Sequence, residues 1–164
     1  MAAWLALAAP AQGAPNSVQI EPAAASVQAG GTVTVSLVAE APSAGLDGWE
    51  IDVQYDNALL NAAACASHPK GLCDKDFSSG TVRSSGNPDE TLTGQLTLAA
   101  ISFQATGPAG QCSSLTVQAV TFVDPEDAAT SPVVNDGEIC IQETVAATPT
   151  PGLTAAPSPT PISE

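Results

Sequence analysis

Apolar and polar side chains alternate strictly along one short segment, from residue 49 to residue 55. The apolar set occupies the odd positions: Trp49, Ile51, Val53 and Tyr55. The polar set occupies the even positions: Glu50, Asp52 and Gln54. Successive side chains of a β-strand point to opposite faces, so a period of two predicts a strand with one dry face and one hydrated face. Antiparallel sheets allow this division, because one of their faces can remain in water.

Short apolar runs separated by Gly, Pro, Asn and Asp turn signals predict further strands. These runs are Val18–Glu21, Thr32–Ala39, Leu60–Ala64, Thr81–Ser84, Leu96–Ala105, Leu115–Val123 and Gly137–Ile141. No window carries a helical stripe, and the apolar residues are rich in Ala and Val with only 4% aromatics. We therefore predict an all-β fold, an antiparallel nine-stranded β-sandwich with jelly-roll topology.

Two of these strands change phase midway. Leu96 and Leu98 are even-numbered whereas Ile101 and Phe103 are odd. In the other strand Leu115 and Val117 are odd, whereas Val120 and Phe122 are even. One extra residue in each strand would return both apolar sets to the same face, so we predict a β-bulge in each.

The two ends of the chain differ in composition from the middle. Residues 1–13 resemble the apolar and cleavage regions of a secretory signal, without its basic leading region. Residues 148–161 are rich in Pro and Thr, which hold a chain extended and give it nothing to pack. We expect a signal-peptide remnant and lead-in at 1–16, one β-sandwich domain at 17–142 and a linker at 143–164. No segment has about twenty apolar residues, so no transmembrane span is expected.

The net charge is −14, from seventeen acids and three bases. Nucleic acid is excluded as a partner because phosphate binding needs a basic face, and anionic membranes are disfavoured for the same reason. A partner with cationic groups is compatible with this charge, and so is simple solubility through charge repulsion. We expect a monomer that is secreted or held at the cell surface.

Four cysteines in a chain that we expect to be exported predict two disulfides. Three connectivities are possible, and we choose the sequence-local one, Cys65 with Cys73 and Cys112 with Cys140. The first pair would pin an irregular loop over Ala66–Leu72, and the second would tie the last strand to the start of an earlier one. A zinc site is the rival interpretation, but no Cys-x-x-Cys pair exists and His68 is the only imidazole.

The order of several segments resembles that of a cohesin, the receptor module of bacterial cellulose-degrading assemblies. The segments are Gly30–Val35, Gly45–Leu60 with its Tyr-Asp strand end, Leu98–Phe103, Phe122–Asp127 and Asn135–Ile141. The likeness covers residues 17–142, with Asn57 standing where the family motif has proline. It implies a nine-stranded jelly roll that binds a dockerin, a small calcium-loaded helical module. The implied contact surface is the sheet that contains the Tyr-Asp strand, where Glu50, Asp52 and Gln54 form the candidate partner-binding face.

Catalysis is not expected, because no nucleophile, base and orienting group occur together in the sequence. Carbohydrate binding is an alternative function, and a structural spacer of a surface protein is another. With Trp4 set aside, Phe77 is the one aromatic free for a sugar, because the others fall in core-like phases: Trp49, Tyr55, Phe103 and Phe122. No cofactor or metal is expected. The weak candidates for calcium are Asp124, Glu126 and Asp127, whose spacing matches no defined binding loop.

Overall fold

The computed structural model describes residues 16–144, and this part of the chain consists of strands and turns without a helix. Residues 1–13, which were predicted to resemble a secretory signal, and the Pro/Thr segment at 148–161 lie outside the described residues. The strands are β1 Ser17–Glu21, β2 Ala24–Gln28, β3 Thr32–Glu40, β4 Gly48–Gln54, β5 Leu60–Ser67, β6 Gly71–Ser78, β7 Thr81–Gly86, β8 Gln95–Ala105, β9 Cys112–Val123, β10 Val133–Asn135 and β11 Gly137–Gln142. Within residues 16–144 no helix is long and apolar enough to cross a bilayer.

The strands form two sheets that pack face to face. The five-stranded sheet has the order β10-β1-β3-β8-β5, and the six-stranded sheet has the order β2-β11-β9-β4-β7-β6. All neighbouring pairs are antiparallel except β1 with β10 and β2 with β11. The core between the sheets holds fully buried side chains from both, among them Leu37, Phe103, Ile51, Phe122 and Ile139. The predicted all-β sandwich is confirmed, with eleven strands in place of nine.

The extra strands are those with weak or short sequence signals. Residues Ala24–Gln28 and Val133–Asn135 form edge strands, where exposed backbone leaves little apolar alternation. The prediction of an irregular loop over Ala66–Leu72 is wrong. There β5 continues to Ser67, β6 starts at Gly71, and a tight turn closed by the bond from the Gly71 N–H to the His68 carbonyl joins them.

Both predicted bulges are present. The pairing of β3 with β8 shifts between Leu37 and Val38, where Leu98 is the extra residue of β8. The pairing of β4 with β9 shifts between Glu50 and Ile51, where Val120 is the extra residue of β9. Leu98 is buried, but Val120 is 48% exposed, so its assignment to the core phase was wrong. A bulged residue leaves the ladder, and only Phe122 resumes the inward phase.

The four cysteines pair as chosen from the sequence. Cys65 on β5 bonds Cys73 on β6, which joins the edge of one sheet to the edge of the other. Cys112 and Cys140 are directly opposite one another on β9 and β11. The described residues contain no free cysteine.

Candidate functional site

Four strands of the six-stranded sheet, β9, β4, β7 and β6, share an outer face built from three cross-strand rows. The first row is Thr121, Glu50, Ser85 and Leu72; the second is Gln118, Asp52, Arg83 and Asp74; the third is Thr116, Gln54, Thr81 and Ser78. Residues directly opposite each other in a sheet point the same way, so the even-numbered side chains of β4 all belong to this face. The three residues predicted to bind a partner therefore lie side by side on it.

The middle of the outer face is an ion-pair cluster centred on Arg83, which the sequence interpretation had not assigned to the site. The Arg83 guanidinium donates Nε to Asp52 Oδ1 at 2.6 Å and Nη2 to Asp52 Oδ2 at 2.7 Å, a bidentate arrangement. Its Nη1 also donates to Glu50. The guanidinium stacks on the Phe77 ring with Cζ 3.8 Å from the ring centroid. Arg83, Glu50, Asp52 and Phe77 are called the Arg83 cluster below.

This cluster changes two expectations for the polar face. Asp52 is 8% exposed, so the face is not wet along its whole length as the alternation implied. Glu50 and Asp52 already share one arginine, so the two acids do not form a bare surface for a partner's Lys or Arg. Hydrogen bonding to Asp52, opposed by partial desolvation and supported by the nearby Asp52 and Glu50 charges, raises the pKa of Arg83. The guanidinium therefore stays charged and holds the cluster together.

The Arg83–Asp52 pair predicts an unequal response to two substitutions. Arg83→Met removes the partner of a nearly buried carboxylate, and we expect it to lower the free energy of unfolding by more than the loss of an exposed ion pair does. Lys75→Met is the matched control, because Lys75 pairs with Asp76 at 2.6 Å on an exposed surface. Exposed pairs contribute about 0–1 kcal/mol. Urea unfolding followed by circular dichroism measures both, and equal effects would show that burial of Asp52 adds nothing.

Beside the first row lies an apolar groove of about 620 Å³. The floor of the groove is the backbone of Gly48, which has no side chain to fill it. A Cβ added at Gly48 would lie 2.9 Å from Val123 Cγ2, so a larger residue does not fit there. Leu72, Val123 and Pro69 supply apolar walls, with Asn87, Lys70 and Thr121 at the polar rim. Leu72 is 74% exposed, an unusual position for leucine without a partner.

Three of the five exposed large hydrophobic residues lie on this sheet. Among residues 16–144 the large hydrophobics that are exposed are Leu72, Phe77, Val120, Val133 and Val134. The first three belong to β6 and β9, and the other two to the edge strand β10. Of these residues Leu72 lines the apolar groove, and an exposed apolar side chain at an apolar groove is typical of a surface that contacts another molecule. Leu72 and Val120 were absent from the predicted site, because the first lay in an expected loop and the second in an expected core position.

The three candidate calcium ligands, Asp124, Glu126 and Asp127, do not form a common site. Asp124 Oδ1 accepts hydrogen bonds from the backbone N–H of Glu126 and of Ala128, so this carboxylate shapes its own turn. Glu126 and Asp127 are exposed and do not converge with it on a common point. In the described part of the chain, one group of three potential metal ligands lies close together: Cys112, Glu138 and Cys140. The two cysteines of this group are joined in a disulfide, so their sulfurs are not thiolate ligands.

Trp49, His68 and Phe77 are each held by contacts with other side chains or backbone groups of the fold. Trp49 is 2% exposed and donates Nε1–H to Ser84 Oγ at 3.1 Å, so its predicted core position is confirmed. His68 lies in the β5–β6 turn, where its Nδ1 accepts the Lys70 N–H and its ring meets the Trp49 ring edge-on. Phe77 is 43% exposed, but one ring face is covered by Arg83, so it is not the free platform expected from the sequence.

Comparison with known proteins gives structural matches only, since no family model and no curated protein sequence matches the chain. The chain is similar to the seventh ScaB type I cohesin from Pseudobacteroides cellulosolvens at 17% identity and TM-score 0.68, with 80% of this chain and 95% of that chain covered. It is also similar to a non-cellulosomal cohesin from the archaeon Archaeoglobus fulgidus at 16% identity and TM-score 0.65, over 78% of this chain and 91% of that one.

A third match is a structure of a type I cohesin–dockerin complex, Coh-OlpC with Doc435, from Clostridium thermocellum. The identity is 14% and the TM-score 0.69, with 84% of this chain and 100% of that chain covered. At such identities the likeness shows a shared fold, so the chain has the jelly-roll sandwich fold of cohesin domains. The resemblance identified from the sequence is confirmed at the level of the fold.

Proposed function

We propose that this chain is a non-catalytic, extracellular protein-recognition module that captures its partner on the outer face of the six-stranded sheet. The single observation behind this proposal is the apolar groove with the 74% exposed Leu72 at its wall, next to the Arg83 cluster on a rigid sheet. Central apolar anchors surrounded by polar groups are the usual energetic core of protein interfaces. The cohesin fold, which occurs in complexes with dockerins, supports a dockerin-type helical module as the partner.

The outer face favours a partner with a protruding apolar side chain over one that relies on basic residues alone. The groove is open and apolar-walled, so it can desolvate an aliphatic side chain. Glu50 and Asp52 are shared with Arg83, which leaves one net negative charge on the three residues. Such a charge contributes to the rate and the orientation of association more than to affinity. Extracellular placement is supported by the two disulfides, which persist in oxidising compartments.

The decisive variant is Leu72→Glu, tested for capture of a panel of calcium-loaded dockerin modules by the full chain on a sensor surface. We expect at least one dockerin to bind the wild type, and Leu72→Glu to weaken that binding by about 100-fold, as loss of an interface anchor does. Val133→Glu is the matched control, because Val133 is 57% exposed on the far edge strand β10. It should bind as tightly as the wild type.

Leu72 is a sharper test position than Glu50 or Asp52. Substituting Glu50 or Asp52 with lysine would place a second positive charge against Arg83, so stability and binding would fall together. Leu72 makes little contact with its own chain, and its substitution should change stability by less than about 0.5 kcal/mol. Absence of binding to every dockerin, or equal binding by Leu72→Glu and Val133→Glu, would refute this docking face.

A further inference from the structure

A second pocket lies at the other end of β4, where the β4–β5 turn meets the β6–β7 turn. It measures about 340 Å³, and its lining includes Tyr55, Asn57, Asn61, Lys75, Asp76 and Ser79. Ser78 also lines the pocket and belongs to the third row of the outer face, but no residue of the pocket lines the apolar groove. Most of the lining is polar, in contrast to the apolar groove, so this pocket fits a hydrophilic ligand.

The walls of the pocket are held in place by short-range contacts. The Tyr55 N–H donates to the Gly80 carbonyl at 2.8 Å, which joins the two turns. Gly80 has φ +73°, and a Cβ there would lie 2.8 Å from the Tyr55 carbonyl oxygen, so only glycine fits this approach. The Asn57 amide donates to the Ser79 hydroxyl across the same junction. A site with fixed walls loses little entropy when a ligand binds.

The charge of the pocket favours a neutral ligand. Lys75 and Asp76 form an ion pair at 2.6 Å, and the other polar lining groups are amides and hydroxyls. The pocket therefore has no formal net charge, although the chain carries −14. A cation would have to compete with Lys75 for the carboxylate, and an anion would meet Asp76. Neither charge class is preferred here.

The hydrogen-bonding groups suit a ligand with several hydroxyls. Asn57 and Asn61 each carry a donor and an acceptor on one planar amide, which matches the dual character of a hydroxyl. Within residues 16–144 the Asn61 side chain makes no hydrogen bond, so its amide is available to a ligand. Tyr55 adds a half-buried aromatic ring, fixed edge-on against Phe103 with the centroids 5.0 Å apart. An amphipathic ring beside amides can contact both the C–H and the O–H groups of a sugar.

We propose that this pocket binds a neutral carbohydrate unit, with Asn57 and Asn61 bonding its hydroxyls and Tyr55 contacting its ring. The volume is near the lower end of the range for ligand pockets, about 300–1,000 Å³, which limits the bound portion to a small one such as a single pyranose ring. The site meets the outer face only at Ser78, in the row farthest from Leu72, so the module can hold a glycan and a protein at the same time.

The test is a titration of the ¹⁵N-labelled full chain with glucose, galactose, mannose and N-acetylglucosamine, each followed by amide chemical shifts. We expect at least one sugar to shift the amides of residues 55–61 and 75–80 with a Kd on the order of 1 mM. Glycerol at the same hydroxyl concentration is the control for unspecific contact. No shifts up to roughly 50 mM sugar, or equal shifts with glycerol, would overturn the proposal.

Variants separate this pocket from the docking face. Asn61→Ala removes an exposed amide from the pocket wall, and it should weaken the sugar's binding about tenfold without affecting dockerin capture. Asn87→Ala is the matched control, since Asn87 is an exposed asparagine at the rim of the apolar groove. Its sugar affinity should equal that of the wild type. Sugar shifts centred on residues 85–87, or insensitivity to Asn61→Ala, would place the binding elsewhere.

Discussion

Replacing Trp49 with alanine is expected to lower the free energy of unfolding by about 3–5 kcal/mol, the largest single-residue effect that we predict for this chain. The indole lies on the inner side of β4, in a cross-strand row with Phe122, Gly86 and Gly71. The indole fills the space beside Gly86 and Gly71 that side chains at those two positions would need. A Cβ on Gly86 would overlap the ring, and one on Gly71 would lie 2.6 Å from Cζ2.

The surroundings of Trp49 explain why the cavity left by alanine cannot collapse. The neighbouring β7 and β6 positions are Gly86 and Gly71, so these two positions offer no side chain that could move into the empty volume. The substitution also leaves the buried Ser84 hydroxyl without its donor. Urea unfolding monitored by far-ultraviolet circular dichroism gives the change in free energy.

Two further variants at this position separate packing from hydrogen bonding. Trp49→Phe keeps most of the apolar volume and loses the Nε1 bond, so it should cost clearly less than alanine. Gly86→Ala should cost about 1–3 kcal/mol through overpacking of the same ring. A loss of under about 1.5 kcal/mol for Trp49→Ala would mean that the indole is not a core residue and would contradict the register of β4.

Removing the Cys112–Cys140 disulfide is expected to cost about 3.6 kcal/mol, against about 2.5 kcal/mol for Cys65–Cys73, on the chain-entropy model. The difference follows from loop length, because the pairs are 28 and 8 residues apart in sequence. A longer closed loop removes more conformations from the unfolded chain. Alanine at both positions of a pair keeps the Cβ atoms and deletes the sulfurs, and thermal and urea unfolding of the two double variants test the order.

The two disulfides should also differ in their effect on binding. Cys73 is on β6, an edge strand that pairs only with β7 and carries Leu72. Loss of the Cys65–Cys73 bond frees this strand to fray, so dockerin capture should weaken in that variant at a temperature where both variants stay folded. Cys112 and Cys140 lie on β9 and β11, at a distance from Leu72 along the sheet. These assignments would be contradicted if removing Cys65–Cys73 lowered stability more than removing Cys112–Cys140. They would also be contradicted if removing Cys112–Cys140 weakened dockerin capture more.

Several features of the fold followed from local sequence alone. Alternation at Trp49, Ile51 and Val53 places these side chains in the core, because a strand has only two sides and water selects between them. The phase changes predicted the bulges in β8 and β9, since one inserted residue is the smallest repair that keeps an apolar face inward. The turn residues marked most strand ends. Sequence-local pairing of the cysteines was also correct.

Other features depended on which strands become neighbours. Arg83 alternates with Val82 and Ser84, so its outward direction was readable, but its contact with Asp52 requires β7 to lie beside β4 in one register. That register joins residues 31 positions apart. The burial of Asp52 follows from the same pairing. The exposure of Leu72 likewise required β6 to be a strand at the edge of a sheet, where its outward side chain has only one flanking strand.

The sequence by itself determined that this chain makes a two-layer β structure, which side of each strong strand is dry, and which acids of β4 share a surface. Those properties depend on side-chain polarity at a spacing of two residues, and local chemistry decides them. Only the tertiary structure decided that the acids are held by Arg83, that Gly48 opens a groove beside Leu72, and that two turns enclose a polar pocket around Tyr55. Each of these arises between strands distant in sequence, where sheet register, not composition, sets which atoms meet.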